Sequence, residues 1–135
     1  MPKLILTVGL PRSGKSTWSR QQGHPVVNPD SIRLAVTGQR FVPSAEPIVW
    51  MVVKYMVASL FLAGHETVIL DATSVTHARR DQFLSKDWEP YVKVFDTPPT
   101  VCKERALATG QPDLLPVIDQ MHREWQEPSE AWIRL

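Results

Sequence analysis

An eight-residue segment near the N-terminus constrains the fold more than any other feature of the chain. It reads Gly9-Leu10-Pro11-Arg12-Ser13-Gly14-Lys15-Ser16 and fits the pattern G-x-x-x-x-G-K-[ST] at every fixed position. A short apolar run, residues 4–8, precedes the segment, and a helix-compatible stretch, residues 14–22, overlaps its end. A strand, a glycine-rich turn and a helix in this order are the context that the pattern requires, so we predict a phosphate-binding loop.

The chemistry expected of this loop is the binding of a nucleoside triphosphate. Glycines let the backbone turn so that several N–H groups point at phosphate oxygens, and the positive end of the following helix adds to the attraction. Lys15 is expected to reach the β and γ phosphates, and the Ser16 hydroxyl to bind Mg²⁺. The residues assigned to the nucleotide are Gly9, Pro11, Arg12, Ser13, Gly14, Lys15, Ser16 and Thr17.

Short apolar runs alternate with helical segments along the rest of the chain. The predicted strands are residues 4–8, 25–28, 67–70 and 91–95, and the predicted helices are 14–22, 29–36, 47–63, 76–85, 99–108 and 114–125. This alternation predicts an α/β domain with a parallel sheet and right-handed crossovers. We expect a single three-layer domain over residues 1–135, with four to five parallel strands flanked by helices and a small helical lid at about residues 100–115.

Composition restricts the partners and the compartment. The chain has 15 Lys and Arg against 14 Asp and Glu, and this balance argues against a broad polybasic face for duplex DNA or an acidic membrane. The single cysteine, Cys102, cannot form an internal disulfide, and we expect no disulfide-linked partner. The longest apolar stretch, residues 48–63, is shorter than the ~20 residues of a membrane span and is interpreted as a buried helix. We therefore predict a cytoplasmic protein without a membrane segment. The side chains assigned to the core on this helix are Trp50, Met51, Val53, Tyr55 and Met56.

Two aspartates are expected to face the phosphate loop. Ligands of an open parallel sheet bind outside the carboxyl ends of its strands. Asp30 follows the second predicted strand, and Asp71 ends the third. For Asp30 we favour a role at an attacking hydroxyl over a helix cap, and for Asp71 an outer Mg²⁺ contact or an acceptor contact over a turn residue.

Arginines near these positions are candidates for contacting phosphates. Arg33 lies three residues after Asp30 on the same side of the predicted helix, where it could contact a phosphate near the accepting hydroxyl. Arg105 is a candidate lid arginine for the transition state, with an ordinary surface arginine as the alternative. Arg79 and Arg80 could touch a nucleic-acid backbone, although neighbouring helical residues do not face one direction, and Arg79 is taken as the candidate.

Three stretches of the chain, in order, carry a family resemblance. They are residues 9–17 with Trp18, the block Asn28-Pro29-Asp30-Ser31-Ile32-Arg33, and Asp71-Ala72-Thr73-Ser74 with Arg79-Arg80 after it. Together they resemble the kinase domain of phage-type polynucleotide 5′-kinases and their bacterial repair relatives, within the wider group of AAA and zeta-toxin-like small P-loop kinases. The resemblance implies that Asp30 activates the accepting 5′-hydroxyl and that Arg33 binds the 3′-side phosphate of the acceptor. It also implies ATP and Mg²⁺ as cofactors and DNA or RNA as the acceptor.

Three positions depart from the pattern of that family. Its lid helix usually carries two arginines four residues apart, whereas here the first is Arg105 and the second position is Thr109. Ser74 stands in place of the usual asparagine, and Arg12 stands where a glycine is common. Arg12 could compensate for the missing lid arginine by lying near the γ phosphate or the acceptor.

The main prediction is ATP-dependent phosphoryl transfer to a hydroxyl of a nucleic acid, with the 5′-hydroxyl of a polynucleotide as the favoured acceptor. A hydroxymethyl group on a modified base in DNA, a nucleoside or a small metabolite are the alternative acceptors. An alternative of another class is a non-catalytic nucleotide-binding regulator, which the missing lid arginine favours. The assigned residues are Lys15, Asp30, Arg33 and Arg105 for catalysis, Ser16 and Asp71 for the metal, and Asp30, Arg33, Asp71 and Arg79 for the substrate.

Overall fold

Five strands form the central sheet of the protein, which a computed structural model describes over residues 1–135. The strands are β1 (Lys3–Gly9), β2 (Val26–Val27), β3 (Thr67–Leu70), β4 (Glu89–Phe95) and β5 (Ile133–Arg134). They lie in the order β2-β3-β1-β4-β5, and every neighbouring pair is parallel. The predicted α/β class with a parallel sheet flanked by helices is confirmed.

Helices connect all of these strands. They are α1 (Lys15–Gln21), α2 (Pro29–Thr37), α3 (Glu46–Leu62), α4 (His77–Asp81), α5 (Pro99–Ala108) and α6 (Leu114–Glu124), with a 3-10 turn at Pro43–Ala45 before α3. The observed bounds of five helices lie within a residue of the predicted ones. The exception is α4, predicted over residues 76–85, which ends early because Phe83 and Trp88 both turn into the core. There the Trp88 indole N–H donates to the Phe83 carbonyl at 2.8 Å.

The C-terminal residues form a strand that the pattern of the sequence did not place. The predicted elements end at residue 125, but in the structure Ile133 pairs with Tyr91 and Arg134 with Val92. The backbone N–H of Leu135 continues this edge by donating to the Val92 carbonyl at 2.9 Å. Pairing with β4 holds these two residues in the sheet.

The largest apolar cluster lies between the sheet and the helices that follow β2 and β3. It consists of twelve buried residues, namely Leu4, Leu6, Val8, Val27, Val53, Val57, Val68, Leu70, Phe83, Trp88, Val92 and Trp132. Its side chains come from four strands, from α3, from the segment after α4 and from Trp132 before β5, so burial of this cluster ties the layers together. The sheet edge that carries the phosphate loop is thereby fixed on a rigid base.

Only one stripe of α3 is buried, which corrects the prediction of a buried helix with Met51, Tyr55 and Met56 in the core. Val49, Val53 and Val57 recur every four residues and face the sheet, whereas Met51, Tyr55 and Met56 are exposed. The helix packs against the sheet on one side only, so the apolar residues of its other side remain at the surface. By length and composition alone, the segment Pro43–Leu62 could cross a membrane. A single such helix is weak evidence for a membrane span, because a helix that packs on a protein core passes the same test.

Candidate active site

The phosphate loop connects β1 to α1 and has a backbone that requires both of its fixed glycines. A Cβ atom on Gly9 would lie 2.6 Å from Ser13 Oγ, closer than real Cβ atoms approach, and 3.0 Å from Phe95 Cβ, which is a tight contact. Gly14, at the N-terminal end of α1, has a φ of 105°, a conformation that favours glycine. Arg12 also has a positive φ, 67°, so the loop turns sharply between the two glycines. The backbone conformation of the loop therefore depends on the two glycines that the motif fixes.

Lys15 is enclosed by the loop that precedes it. Its side chain is 8% exposed, and its Nζ donates to the Leu10 carbonyl at 2.7 Å and to Ser13 Oγ at 3.4 Å. Burial lowers the pKa of Lys15 to about 8, against the opposing influences of Asp71, then Cys102 and, smallest, Asp30. A buried ammonium group with so little hydration is prepared to bind an anion such as a phosphate.

Ser16 and Asp71 come together although 55 residues separate them in the chain. The Ser16 hydroxyl donates to Asp71 Oδ2 at 2.7 Å, and the Asn28 amide donates to the same oxygen at 3.3 Å. Asp71 is 4% exposed, so its side chain points into the site and is not simply a turn residue. A hydroxyl and a carboxylate are the hard oxygen donors that Mg²⁺ prefers, and these two side chains fit the ion.

Asp30 lies at the start of α2 but does not cap it. The cap is Asn28, whose side-chain oxygen accepts from the backbone N–H groups of Asp30, at 2.8 Å, and Ser31, at 3.3 Å. The Asp30 carboxylate is 82% exposed and accepts a hydrogen bond from Arg33 Nη1 at 2.8 Å. The carboxylate is therefore free of a structural duty in the helix and open to an incoming group.

Glu46 is a site residue that the sequence analysis missed. Arg33 is only 17% exposed, and its Nε and Nη2 donate to the Glu46 carboxylate at 2.8 to 3.2 Å. Burial opposes the charge on Arg33, but Glu46 and Asp30 outweigh it and raise the pKa of the guanidinium, while Arg33 lowers the pKa of Glu46. No motif points to Glu46, because an acidic residue in the first turn of a helix is also explained by the helix dipole.

The neighbouring arginines of α4 diverge. The guanidinium carbon of Arg79 lies 3.8 Å from the centre of the Trp50 ring, on the side of the protein that carries Arg33. Arg80 is fully buried, and its guanidinium donates to the backbone carbonyls of Ser74, Val75 and Gln126. Arg80 thus joins the loop after β3 to the segment after α6, and Arg79 is the one that faces the site.

The predicted lid helix, α5, packs against the phosphate loop. Cys102 is buried there in a small apolar cluster that includes Leu10. Arg105 Nη1 donates to the backbone carbonyl of Arg12 at 3.1 Å. Thr109, at the position of the second lid arginine, bonds through its hydroxyl to the Arg105 carbonyl at 3.0 Å, to the Ala106 carbonyl and to the Gln111 side chain.

The structure brings most of the predicted residues to one edge of the sheet. Pro11 lies in the turn of the loop, Thr17 lies in the first turn of α1, and the Ser13 carbonyl accepts from Thr97 of the loop after β4 at 2.9 Å. Asp71 bonds directly to Ser16 of the loop, and Asp30 is linked to Asp71 through the side chain of Asn28. The roles of these residues in binding and catalysis stay predictions.

Comparison with known proteins decides the family. A family described as an AAA domain, AAA_33, matches residues 4–128 of the chain. The chain belongs to this AAA domain family. The match includes the phosphate loop, both aspartates and the lid helix, so the recognition of a small P-loop kinase domain from the sequence is confirmed.

Solved structures support the fold of this AAA domain. A chain of the Pnkp1/Rnl/Hen1 complex is 30% identical, with a TM-score of 0.68, over 77% of this chain and 38% of that chain. The AAA domain thus spans well under half of the length of that relative. Gluconokinase from Sinorhizobium meliloti is 19% identical, with a TM-score of 0.59, over 99% of this chain and 82% of that one. Kti12 from Chaetomium thermophilum, in complex with ADP-AlF3, is 18% identical, with a TM-score of 0.65, over 98% and 88%. The last two likenesses show the fold alone.

Proposed function

We propose that this AAA domain transfers the γ-phosphoryl group of ATP to a hydroxyl of a nucleic acid, with the 5′-hydroxyl of a polynucleotide as the acceptor. The observation that carries the proposal is the exposed carboxylate of Asp30, which pairs with Arg33. The Asp30 backbone N–H bonds to Asn28, and the Asn28 amide bonds to Asp71 beside the phosphate loop. A phosphoryl transferase needs a group of this kind to orient the attacking hydroxyl beside the bound triphosphate.

In the proposed reaction, the oxygen of the acceptor hydroxyl bonds to the γ phosphorus, and Asp30 accepts the proton that this hydroxyl loses. The bond between the γ phosphorus and the bridging oxygen of ATP breaks, and ADP leaves with that electron pair. Lys15 and the backbone N–H groups of the loop bind the phosphates and stabilise their charge. Ser16 and Asp71 would hold Mg²⁺, which supplies further neutralisation of phosphate charge when bound. Arg105 is proposed to act at the transition state from the lid.

A nucleic-acid acceptor is favoured by the shape of the Arg33 site and by the relatives. The planar guanidinium is held in place by Glu46, which accepts from Nε and Nη2, and by Asp30, which accepts from Nη1. One N–H group on each terminal nitrogen remains for a phosphate. Two solved structures of Pnkp1/Rnl/Hen1, one described as an RNA repair complex, resemble this chain at 30% and 24% identity. A 5′-hydroxyl strand would place its hydroxyl at Asp30 and a phosphate near Arg33.

A nucleotide-binding regulator without transfer activity is the second candidate. The observation that favours it is Thr109, whose hydroxyl binds its own helix end where a second lid arginine would contribute to catalysis. Arginines of this kind supply large rate factors in phosphoryl transfer. The exposed pair of Asp30 and Arg33 favours the kinase, because a regulator has no need of an acceptor site.

The test incubates the protein with γ-labelled ATP, Mg²⁺ and a panel of acceptors. The panel contains 5′-hydroxyl DNA and RNA oligonucleotides, an oligonucleotide with a hydroxymethyl base, nucleosides, gluconate and a sample without acceptor, and the Lys15→Ala variant is the control. Label at a 5′ end that disappears in the variant is the expected result. Label only on a modified base or a small molecule would show that this group, and not a 5′ end, is the acceptor. ATP binding without transfer to any acceptor would favour the regulator.

A further inference from the structure

Arg33 and Arg79 share one indole ring but differ in their polar partners. The Arg79 guanidinium carbon lies 3.8 Å from the centre of the Trp50 ring, and that of Arg33 lies 5.8 Å from it. Both nearby carboxylates, Asp30 and Glu46, bond to Arg33, and neither forms a salt bridge with Arg79. The Arg79 guanidinium therefore carries a charge that no hydrogen-bonded carboxylate neutralises.

The Arg79 guanidinium lies over the Trp50 ring, where a cation is attracted to the ring face. Its side-chain hydrogen bond runs from Nη1 to Gln82 Oε1 at 3.2 Å and leaves other N–H groups available. Burial lowers the pKa of Arg79, Glu46 opposes this shift, and the charge of Arg33 adds to it. A planar cation that is half-buried, held in place and short of an anionic partner is suited to a phosphate.

The elements that carry these residues surround the acceptor side of the site. Asp30 and Arg33 belong to α2, Trp50 to α3, and Arg79 to the short helix that follows Asp71 and β3. If an acceptor strand places its hydroxyl at Asp30, we expect its first phosphate to lie near Arg33 and its next phosphate near Arg79. A nucleoside or a sugar alcohol has no second anionic group to place there.

We propose that Arg79, stacked on Trp50, binds a second backbone phosphate of the acceptor strand, beyond the phosphate at Arg33. The inference rests on the proposed function and deepens it, because it makes the enzyme select acceptors with at least two internucleotide phosphates. In this arrangement Trp50 is a positioning residue, because it holds the guanidinium of Arg79 and does not itself bind a phosphate. Single-stranded ends satisfy this requirement, whereas nucleosides and small metabolites do not.

The test measures binding and transfer separately on 5′-hydroxyl oligonucleotides with one, two and three internucleotide phosphates. Binding is measured without ATP by competition against a dye-labelled strand, and transfer is measured with γ-labelled ATP. The variants are Arg79→Gln, which removes the charge, and Arg79→Lys, which keeps it without the planar stack. Arg123→Gln on α6 is the matched control, because Arg123 is also bonded to a glutamine side chain but lies against no aromatic ring.

In the wild-type protein the second phosphate is expected to tighten binding about tenfold, the usual size of one hydrogen bond to a charged group. Arg79→Gln loses this gain, Arg79→Lys keeps part of it, and Arg123→Gln keeps all of it. For a strand of three phosphates, the slope of log Kd against log salt falls by about 0.7 in Arg79→Gln, as expected for one lost phosphate contact on a single strand. A purely structural role of Arg79 would leave both the length dependence and this slope unchanged.

The outcomes separate this inference from the proposed function. A wild-type protein without any gain from the second phosphate, or an Arg79→Gln variant that keeps the gain, overturns the inference. If the wild type shows the gain but transfers no label, the second phosphate site stands and the kinase proposal fails. If it transfers label to all lengths equally well, the kinase proposal stands and the second phosphate site fails.

Discussion

Ser16 and Asp71 share a hydrogen bond of 2.7 Å between the phosphate loop and the end of the third strand. The bond joins a loop hydroxyl to a carboxylate that is already held by the Asn28 amide. Two oxygens in contact at the edge of a phosphate site are arranged to share a cation, since each would lose this bond and gain a metal contact. The contact between Ser16 and Asp71 therefore marks the position at which we expect Mg²⁺ to bind.

Removing the charge of Asp71 is expected to raise the Mg²⁺ concentration that the reaction requires. Asp71→Asn keeps the shape of the side chain but weakens its interaction with the ion, and we expect a loss of about 10- to 100-fold in apparent Mg²⁺ affinity. The measurement is a Mg²⁺ titration of label transfer at fixed ATP. Asp87→Asn, at an exposed position before β4, is the control. An unchanged titration in Asp71→Asn would remove this residue from the metal site.

Asp30→Asn is expected to abolish transfer while ATP still binds. The carboxylate is exposed and is not the helix cap, so its loss should not unfold α2. Loss of a positioned general base costs about 100- to 10,000-fold in rate. Label transfer measures the rate, and a nucleotide-binding titration measures the affinity. Retained transfer in the variant would show that another group accepts the proton.

Glu46→Gln is expected to act through Arg33. The variant removes the charge that holds the guanidinium, so acceptor KM should rise by about tenfold, the value of one hydrogen bond to a charged group, while ATP KM stays the same. If both residues serve one function, Glu46→Gln should add little to Arg33→Gln, and a double-mutant cycle measures this coupling. Effects that simply add would mean that Glu46 acts independently of Arg33.

Lys15→Met is expected to stabilise the protein when nucleotide and metal are absent. Burial lowers the pKa of Lys15 from 10.5 to about 8, so the unfolded chain binds more protons between these two values and the folded state becomes more stable as pH rises through that window. Below pH 8 the folded protein carries the full cost of the buried charge. Removing that charge should raise the free energy of unfolding at pH 7 by about 1 to 3 kcal/mol.

Urea unfolding in EDTA, at pH 7 and at pH 9.5, measures the effect of Lys15→Met. The difference between variant and wild type should be largest at pH 7 and should shrink at pH 9.5, where the wild-type lysine releases its proton on folding. A variant that is less stable at both pH values would contradict the expectation. Such a result would show that the hydrogen bond from Lys15 to the Leu10 carbonyl outweighs the cost of burying the charge.

Arg80→Met is expected to destabilise the fold by about 2 to 4 kcal/mol. The buried guanidinium donates to three backbone carbonyls, including that of Gln126, and methionine would leave these acceptors without partners. Thermal or urea unfolding measures the loss. Arg123→Met on α6, where the side chain is exposed, is the control and should change stability by no more than about 0.5 kcal/mol. Equal effects of the two substitutions would contradict a structural role for Arg80.

The parts of the site that could be predicted are those whose functional residues lie close together in the chain. The phosphate loop is one segment of eight residues, and Asp30 and Arg33 meet because they are three residues apart on a helix. Two elements, Thr67–Leu70 and Pro99–Ala108, coincide with their predicted bounds because an apolar run and a proline start are strong local signals. The pairing of Arg33 with Glu46 has no such signal, since thirteen residues and a turn separate them.

Local sequence by itself determined the loop, the alternation of strands and helices, and which end of the sheet carries the chemistry, because backbone conformation follows from glycine, proline and periodicity over a few residues. Only the tertiary structure decided that Arg79 stacks on Trp50, that Arg80 is buried on carbonyls, and that the chain ends in a fifth strand. Each of these depends on which surfaces the helices present to one another after packing. Packing joins residues that are far apart in the chain, and such pairs leave no trace in a short window of sequence.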